Sequence, residues 1–428
     1  MPDQALPRLL SVCMTLPTSA KPQQGLFVYR RLEAISRTLP VRALCPVPWF
    51  PGLKGGSIPS APADARMPID CRRMFYLPGI AKSLDGRWMQ RCIRRWVQEM
   101  DPKPERTVLD AHFGYPEGVA VHRVARRLGV PFLITLRGVE EEWLQKPRVR
   151  DQMLSALEDA SAVIAVSESL RQAAARAGAD PERIRVIANG CDTSMFGPGD
   201  RKQARLQLGI EDCVPLLVTV ATLKHVKGHD RLVEPLRRLS EHLDFRWICI
   251  GDTDDSGFTK GLRDQIAAAG ISDRVLFTGP LPPHQVSNYL RAADLFLLAS
   301  RREGSCNAIL EAMSCGTPVV ATPVGDNREL ESRFDGIRVA DADVPESFFK
   351  ELMACLINDP KPAFDAADPR MPSVAALPQD ICPSVTTNAT EFQRCSSVSN
   401  SSSKNRTFQP RSWQDVGAAC IGVIREVM

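Results

Sequence analysis

The stretch Asp294-Leu-Phe-Leu-Leu-Ala-Ser-Arg-Arg-Glu-Gly-Ser-Cys-Asn-Ala-Ile-Leu-Glu-Ala-Met-Ser-Cys-Gly-Thr-Pro-Val-Val-Ala-Thr322 decides the fold. It reads as strand, loop, helix, strand. The apolar run Leu295–Ala299 is short and continuous, as in a strand buried on both faces, and Pro318–Thr322 is a second such run. Between them the loop Glu303-Gly304-Ser305-Cys306 feeds a helix from about Asn307 to Gly316. The free N–H groups and positive dipole end of that helix face the crevice above the strand ends, an anion site. Gly304 lets backbone approach a ligand closely, and Ser305 and Asn307 can cap the helix or bond a bound group. Glu303 and Glu311 flank the slot. A carboxylate accepts two hydrogen bonds at once, which suits adjacent sugar hydroxyls. Spacing alone leaves a second reading open, in which Glu311 is a solvated helix residue and Glu303 a loop charge.

The same alternation extends outward from this stretch. Strands are expected at Leu9–Met14, Val41–Cys45, Thr107–Ala111, Phe132–Leu136, Ala162–Val166 and Arg183–Ile187. After a Gly/Pro-punctuated break at Phe196-Gly197-Pro198-Gly199 a second series is expected at Leu216–Ala221, Arg246–Ile250, Val275–Thr278, Leu295–Ala299, Pro318–Thr322 and Gly336–Val339. Amphipathic stretches such as Tyr29–Thr38, Pro116–Leu128 and Glu168–Ala177 lie between strands, the sequence form of doubly wound parallel sheets. With 428 residues, two α/β domains account for the length: residues 1–195 and 196–360. Residues 361–410 are rich in Pro, Ser and Asn and are expected as a flexible insertion. Residues 411–428 regain helical periodicity through Trp413, Val416, Cys420, Ile424 and Val427 and are expected to dock on the first domain.

Composition removes several function classes. A net charge of +4, from 54 Lys+Arg against 50 Asp+Glu, is too small for whole-protein attraction to nucleic acid, so no nucleic-acid partner is expected. No apolar run reaches the ~20 residues of a spanning helix. Residues Leu9–Met14 imitate the core of a secretory signal, but Asp3 precedes them and no clean cleavage site follows. Thirteen dispersed cysteines without C-x-x-C or Cys/His metal spacing read as reduced thiols of a cytoplasmic protein, with no metal and no cofactor expected. The tail triplets at Asn388, Asn400 and Asn405 match the glycosylation pattern and are read as silent.

Glu-x7-Glu followed by Leu-Glu-Ala-Met-x-Cys-Gly-Thr-Pro-Val-Val-Ala-Thr resembles the retaining GT-B glycosyltransferases of family 4, which take sugars from nucleotide donors. The resemblance implies two Rossmann-like domains facing a central cleft, the second holding the nucleoside-diphosphate sugar. It implies that Glu303 contacts the donor sugar, that Gly304, Ser305, Cys306 and Asn307 contact sugar and phosphate, and that Glu311 holds the ribose hydroxyls. Other segments also resemble family elements. In Val218-Thr-Val-Ala-Thr-Leu-Lys-His-Val-Lys-Gly-His-Asp230, Lys227 stands at the Lys-Gly position and is expected to neutralise the diphosphate, with Lys224 a possible helper; a family arginine is missing near Ala221-Thr222-Leu223. In Leu109-Asp-Ala-His-Phe-Gly-Tyr-Pro-Glu-Gly-Val-Ala120, His112 matches the second histidine of His-x-His-Phe-x-x-Pro-x-Gly, Asp110 replacing the first, and is expected at the donor's reacting end. The loop Pro17–Phe27 lines the acceptor cleft by resemblance, with Gly25 near the diphosphate, and it lacks the spacing of a dinucleotide-binding oxidoreductase. Arg137 replaces a family histidine; an anionic acceptor or a surface salt bridge would both explain it. Asn189-Gly190-Cys191-Asp192 resembles the interdomain hinge.

The resulting expectation is a metal-independent hexosyltransferase acting on a carbohydrate or lipid-linked hydroxyl acceptor in polysaccharide or glycolipid assembly. A nucleotide-sugar epimerase or hydrolase on the same fold, and a silent nucleotide-sugar binder, are the alternatives. The segment Arg87-Trp-Met-Gln-Arg-Cys-Ile-Arg-Arg-Trp-Val-Gln-Glu-Met100 adds a basic, aromatic helix, with Trp88, Ile93, Trp96 and Val97 able to meet an anionic membrane from the cytoplasmic side or else to pack on the sheet.

Overall fold

A computed structural model describes residues 6–51, 57–210, 214–253, 256–358 and 408–428. The Pro/Ser/Asn-rich stretch up to residue 407 and its three triplets lie outside the described residues. The aliphatic runs become strands and the amphipathic segments become helices laid on both faces of each sheet. In chain order these are β1 (Arg8–Val12), α1 (Leu26–Ser36), β2 (Val41–Trp49), β3 (Ile69–Phe75), α2 (Asp85–Glu99), β4 (Thr107–His112), α3 (Val119–Leu128), β5 (Phe132–Leu136), α4 (Glu140–Leu144), α5 (Pro147–Asp159), β6 (Ala162–Ala165), α6 (Glu168–Arg176) and β7 (Ile184–Val186). There follow α7 (Arg201–Leu208), β8 (Leu216–Val220), α8 (His229–Ser240), β9 (Arg246–Ile250), α9 (Ser256–Ala268), β10 (Val275–Gly279), α10 (Pro283–Ala292), β11 (Leu295–Leu298), α11 (Asn307–Ser314), β12 (Val319–Ala321), α12 (Asn327–Arg333), β13 (Ile337–Val339), α13 (Pro345–Met353) and α14 (Trp413–Glu426).

The chain divides into two units. One contains the residues up to Asp192 together with Arg302–Asn307 and Arg411–Met428; the other contains Thr193–Arg301 and the stretch beginning at Ala308. The described residues of the first unit form a parallel sheet in the order β3-β2-β1-β4-β5-β6-β7, those of the second a parallel sheet in the order β10-β9-β8-β11-β12-β13. Each order runs outward one way from its first strand and then reverses, which is the doubly wound topology. The reversal falls between β1 and β4 in the first unit and between β8 and β11 in the second. Loops leaving adjacent strands there diverge and open a crevice at the carboxyl ends. The fold class is therefore α/β with two Rossmann-like sheets.

Three features differ from the sequence expectation, each for a physical reason. Strand β3, carrying Asp70, Arg72 and Arg73, was hidden because an edge strand needs few apolar residues. Strand β2 continues through Pro46 and Pro48 to Trp49, because it pairs with β1 only as far as Leu44 and beyond that with β3 alone. On the side without a neighbour a missing N–H breaks no ladder bond. Helix α2 does not offer an aromatic face to a membrane along its whole length. Ile93, Trp96 and Val97 are fully buried in the core, and Trp96 Nε1 donates to Asp70 Oδ2 at 2.7 Å.

Helix α14 is capped by Ser412, whose hydroxyl and the Asp415 carboxylate bond each other's backbone N–H groups, a capping box. Its Trp413, Val416, Cys420, Ile421, Val423 and Ile424 join Val28, Leu32 and Ile35 of α1 in one apolar cluster. Gly417 lets the helices meet closely, since a Cβ there would lie 2.8 Å from that of Ala34.

Candidate active site

Candidate residues collect at both strand-order reversals. In the second unit the chain leaves β8 through a short 3-10 turn, His225–Lys227, and enters α8 at Gly228. Gly228 has φ +69°, and a Cβ on it would fall 1.8 Å from the Ala299 carbonyl oxygen at the end of β11. Only glycine permits that approach. Arg301 ties the turn down: its backbone N–H donates to Val226 O at 2.8 Å and its Nη1 to His225 O at 2.6 Å. The guanidinium also makes a bidentate pair with Asp230, at 2.9 and 2.6 Å, which holds Asp230 below its ordinary pKa although burial alone would raise it. The turn that carries half-buried Lys227 is thus clamped on both sides, while Lys224 is exposed. The sequence offered no signal for Arg301 beyond its place after a strand.

From β11 the chain passes through Glu303, Gly304, Ser305 and Cys306 into α11. Glu303, Ser305 and Asn307 are half-buried, Cys306 is buried, and Glu311 lies half-buried one turn into the helix. By their contacts Arg302–Asn307 belong to the first unit. A Cβ on Gly304 would sit 2.1 Å from the Arg137 carbonyl oxygen, and one on Gly138, whose φ is +124°, 2.6 Å from Gly304 N. Two glycines are needed for that contact.

In the first unit Gly25 starts α1 with φ +66°, its Cα so near the chain leaving β1 that a Cβ would fall 1.4 Å from Thr15 O. His112 ends β4, fully buried. Its Nδ1 accepts from Arg137 Nε at 3.1 Å, which places the imidazole proton on Nε2, 3.0 Å from Asp110 Oδ2. That second contact is close but out of line for a hydrogen bond. Burial pushes the His112 pKa down to about 4, more than Asp110 raises it, so the ring is neutral at pH 7. Burial would raise Asp110, but His112, Arg31 and the Ser11 hydroxyl hold it at about 2. As placed, the imidazole presents no exposed nitrogen and reaches Arg137.

Arg137 is buried. Its Nη1 donates to Asn189 Oδ1 at 3.2 Å, and Asn189 Nδ2 in turn donates to Asn307 Oδ1 at 3.0 Å. The guanidinium lies 5.2 Å from the Phe27 ring centre, a cation–π distance. Burial, and next the charge of Arg31, pull its pKa down to about 9. Arg137 is thus no surface ion pair. The Glu140 carboxylate pins the backbone beside it, accepting from the N–H groups of Arg137 at 3.0 Å, Gly138 at 2.5 Å and Gly114 at 3.1 Å. The first unit thereby gathers His112, Arg137, Gly304 and Asn307 around Asp110, Glu140 and Asn189. The last three had no site role by sequence; Asp110 was visible only as a departure from a histidine. Among the described residues no group of three or more His, Cys, Asp or Glu side chains is placed to hold a metal.

Two family models match the chain: Glycosyltransferase Family 4 over residues 57–195 and Glycosyl transferases group 1 over residues 214–358. The D-inositol 3-phosphate glycosyltransferase of Acidothermus cellulolyticus is 35% identical over 225 residues, which are 48% of this chain and 50% of that protein. The match thus spans about half the length of this relative. A Bacillus subtilis glycosyltransferase provisionally assigned to teichuronic acid biosynthesis, TuaC, is 26% identical over 345 residues, covering 74% of this chain and 81% of its own. Among solved structures, Anabaena Alr3699/HepE in complex with UDP and glucose superposes over 91% of this chain and 100% of its own with a TM-score of 0.62 at 20% identity, a likeness of fold. With one family domain matched on each sheet, together more than half of the chain, the protein belongs to the group 1, family 4 glycosyltransferases of GT-B fold.

Proposed function

We propose that the protein transfers a hexose-type sugar from a nucleoside-diphosphate sugar to a hydroxyl of a carbohydrate or lipid-linked acceptor, with retention of configuration and without a metal. The observation that carries this reading is the pair of helix starts following β8 and β11. Each presents backbone N–H groups where an anion is stabilised, the first with Lys227 and the second with Glu303 and Glu311. In this reading Lys227 and the helix ends take up the charge that develops on the diphosphate as the anomeric C–O bond breaks. Glu303 orients the sugar and Glu311 accepts from two ribose hydroxyls. The sugar passes through an oxocarbenium-like state. The departing phosphate oxygen takes the acceptor's proton as the acceptor oxygen bonds to the anomeric carbon on the same face, giving a glycoside and a nucleoside diphosphate. In the first unit neutral His112 orders Arg137, which would face an acceptor. The charge-bearing groups are an ammonium and N–H donors, which neutralise a diphosphate without a cation bridge.

The test is a matrix of UDP-, GDP- and ADP-sugars assayed for nucleotide release with and without membrane extract as acceptor. Acceptor-dependent release, unchanged by EDTA and lowered at least 100-fold in Glu303→Ala and in Lys227→Ala, is expected. Release of free sugar or an isomerised sugar without acceptor would replace transfer by hydrolysis or epimerisation, and full activity in the double variant would discard the site.

A further inference from the structure

Helix α2 turns Met89, Ile93, Trp96 and Val97 into the core, and its other face is cationic. Arg87, Arg91 and Arg94, spaced four and three residues apart, line a groove of about 580 Å³ together with Arg127 of α3, Leu84, Trp88 and Gln90. No carboxylate lines it. None of these four arginines has an ion-pair or hydrogen-bond partner among the described residues, whereas Arg42, Arg72 and Arg126 nearby in the same unit each meet a carboxylate. Like charges three and four residues apart on one helix face repel, so the row weakens the helix unless an anion lies across it.

Beside the groove stands an apolar ridge. Phe75 is 37% exposed, Ile80 65% and Leu84 37%, and the Phe75 ring meets Trp88 edge to face with centres 5.2 Å apart. Phe50 adds a third ring 6.2 Å from Phe75. Large apolar side chains left in water next to unpaired arginines fit a partner that is anionic at its surface and apolar just beneath. A soluble polyanion answers the arginines alone and leaves Ile80 and Leu84 exposed.

We propose that the α2–α3 groove and the Phe75–Leu84 ridge form a docking surface for an anionic bilayer, the arginines on lipid phosphates and Ile80 and Leu84 entering the interfacial layer. Trp96, Ile93 and Val97 take no part. The surface shares no residue with the proposed donor site, so the two readings fail independently.

The experiment is flotation of the full chain with phosphatidylglycerol/phosphatidylcholine vesicles against pure phosphatidylcholine. Binding to the anionic vesicles alone, weakening as salt is raised, is expected. Each arginine contributes about fivefold to partitioning, so Arg91→Gln with Arg94→Gln lowers it about 30-fold, and Ile80→Asp lowers it further at equal salt. Nucleotide release with a soluble acceptor stays unchanged in all three substitutions. Equal binding to neutral vesicles, no binding to anionic ones, or wild-type binding by the variants overturns the proposal. Binding of inositol hexakisphosphate without vesicle binding overturns it in favour of a soluble polyanion.

Discussion

Glu117 shows how a single buried group sets a property of the whole first unit. It is 2% exposed and accepts from Met14 N–H at 3.0 Å, tying the start of the β1–α1 loop to the turn before α3. Burial raises its pKa to about 8, against about 4.3 in an unfolded chain. The folded state therefore keeps a proton that the unfolded state has already released, and stability falls as pH rises through that window. Buried His112 and His229, both lowered to about 4, act in the opposite direction below about pH 6.5. Between about 6.5 and 8 Glu117 acts in the same direction as Glu140 and the Cys13 and Cys45 thiols, which burial also raises. Urea midpoints are expected to drop from pH 6.5 to 8 more steeply in the wild type than in Glu117→Gln, whose amide can accept the same Met14 bond. An equal drop in both proteins would remove Glu117 as the cause.

At the scale of an element, the turn between β8 and α8 is the part most open to test. Arg301 acts on Lys227 through the backbone of that turn and through Asp230, so it is a positioning residue. Arg301→Lys keeps the charge but loses the bidentate pair, and donor kcat/KM is expected to fall about tenfold. In a Lys227→Ala background the same substitution should add little, because non-additivity marks residues acting as one unit; additive losses would separate them. Gly228→Ala puts a side chain into left-handed backbone and onto the Ala299 carbonyl. Strain alone costs about 1–3 kcal/mol, measurable as a lower urea midpoint of the second unit.

For the whole molecule, the last helix is the feature with the longest reach. Helix α14 buries its apolar face against α1 in a cluster that also includes Leu9, Val108 and Leu133 of the first sheet. Fully burying each of its larger side chains contributes about 1.5–3 kcal/mol, and a domain has only about 5–15 kcal/mol in total. Deleting residues 411–428 is therefore expected to leave residues 1–192 without a cooperative unfolding transition, and a peptide of residues 408–428 added in trans to restore one. A sharp transition without the peptide would show that α14 is dispensable.

The alternation of aliphatic runs and amphipathic segments, with Glu303, Glu311, Lys227 and the glycines at strand ends, determined two doubly wound sheets and a family resemblance, because both signals are local. A buried parallel strand must be apolar throughout, and a tight approach such as that of Gly228 admits only glycine. What the sequence left undecided depends on groups far apart in the chain. That His112 lies between Asp110 and Arg137, that Asn189 meets Asn307 across 118 positions, and that Arg301 clamps the Lys227 turn follow from how strands stack side by side, which no local period records. Tertiary structure also decided which face of α2 is core. Its arginines and tryptophans are interleaved at spacings that suit a sheet-packing helix and a membrane helix alike, and only the sheet beneath Trp96 decides which of them are core and which remain on the surface.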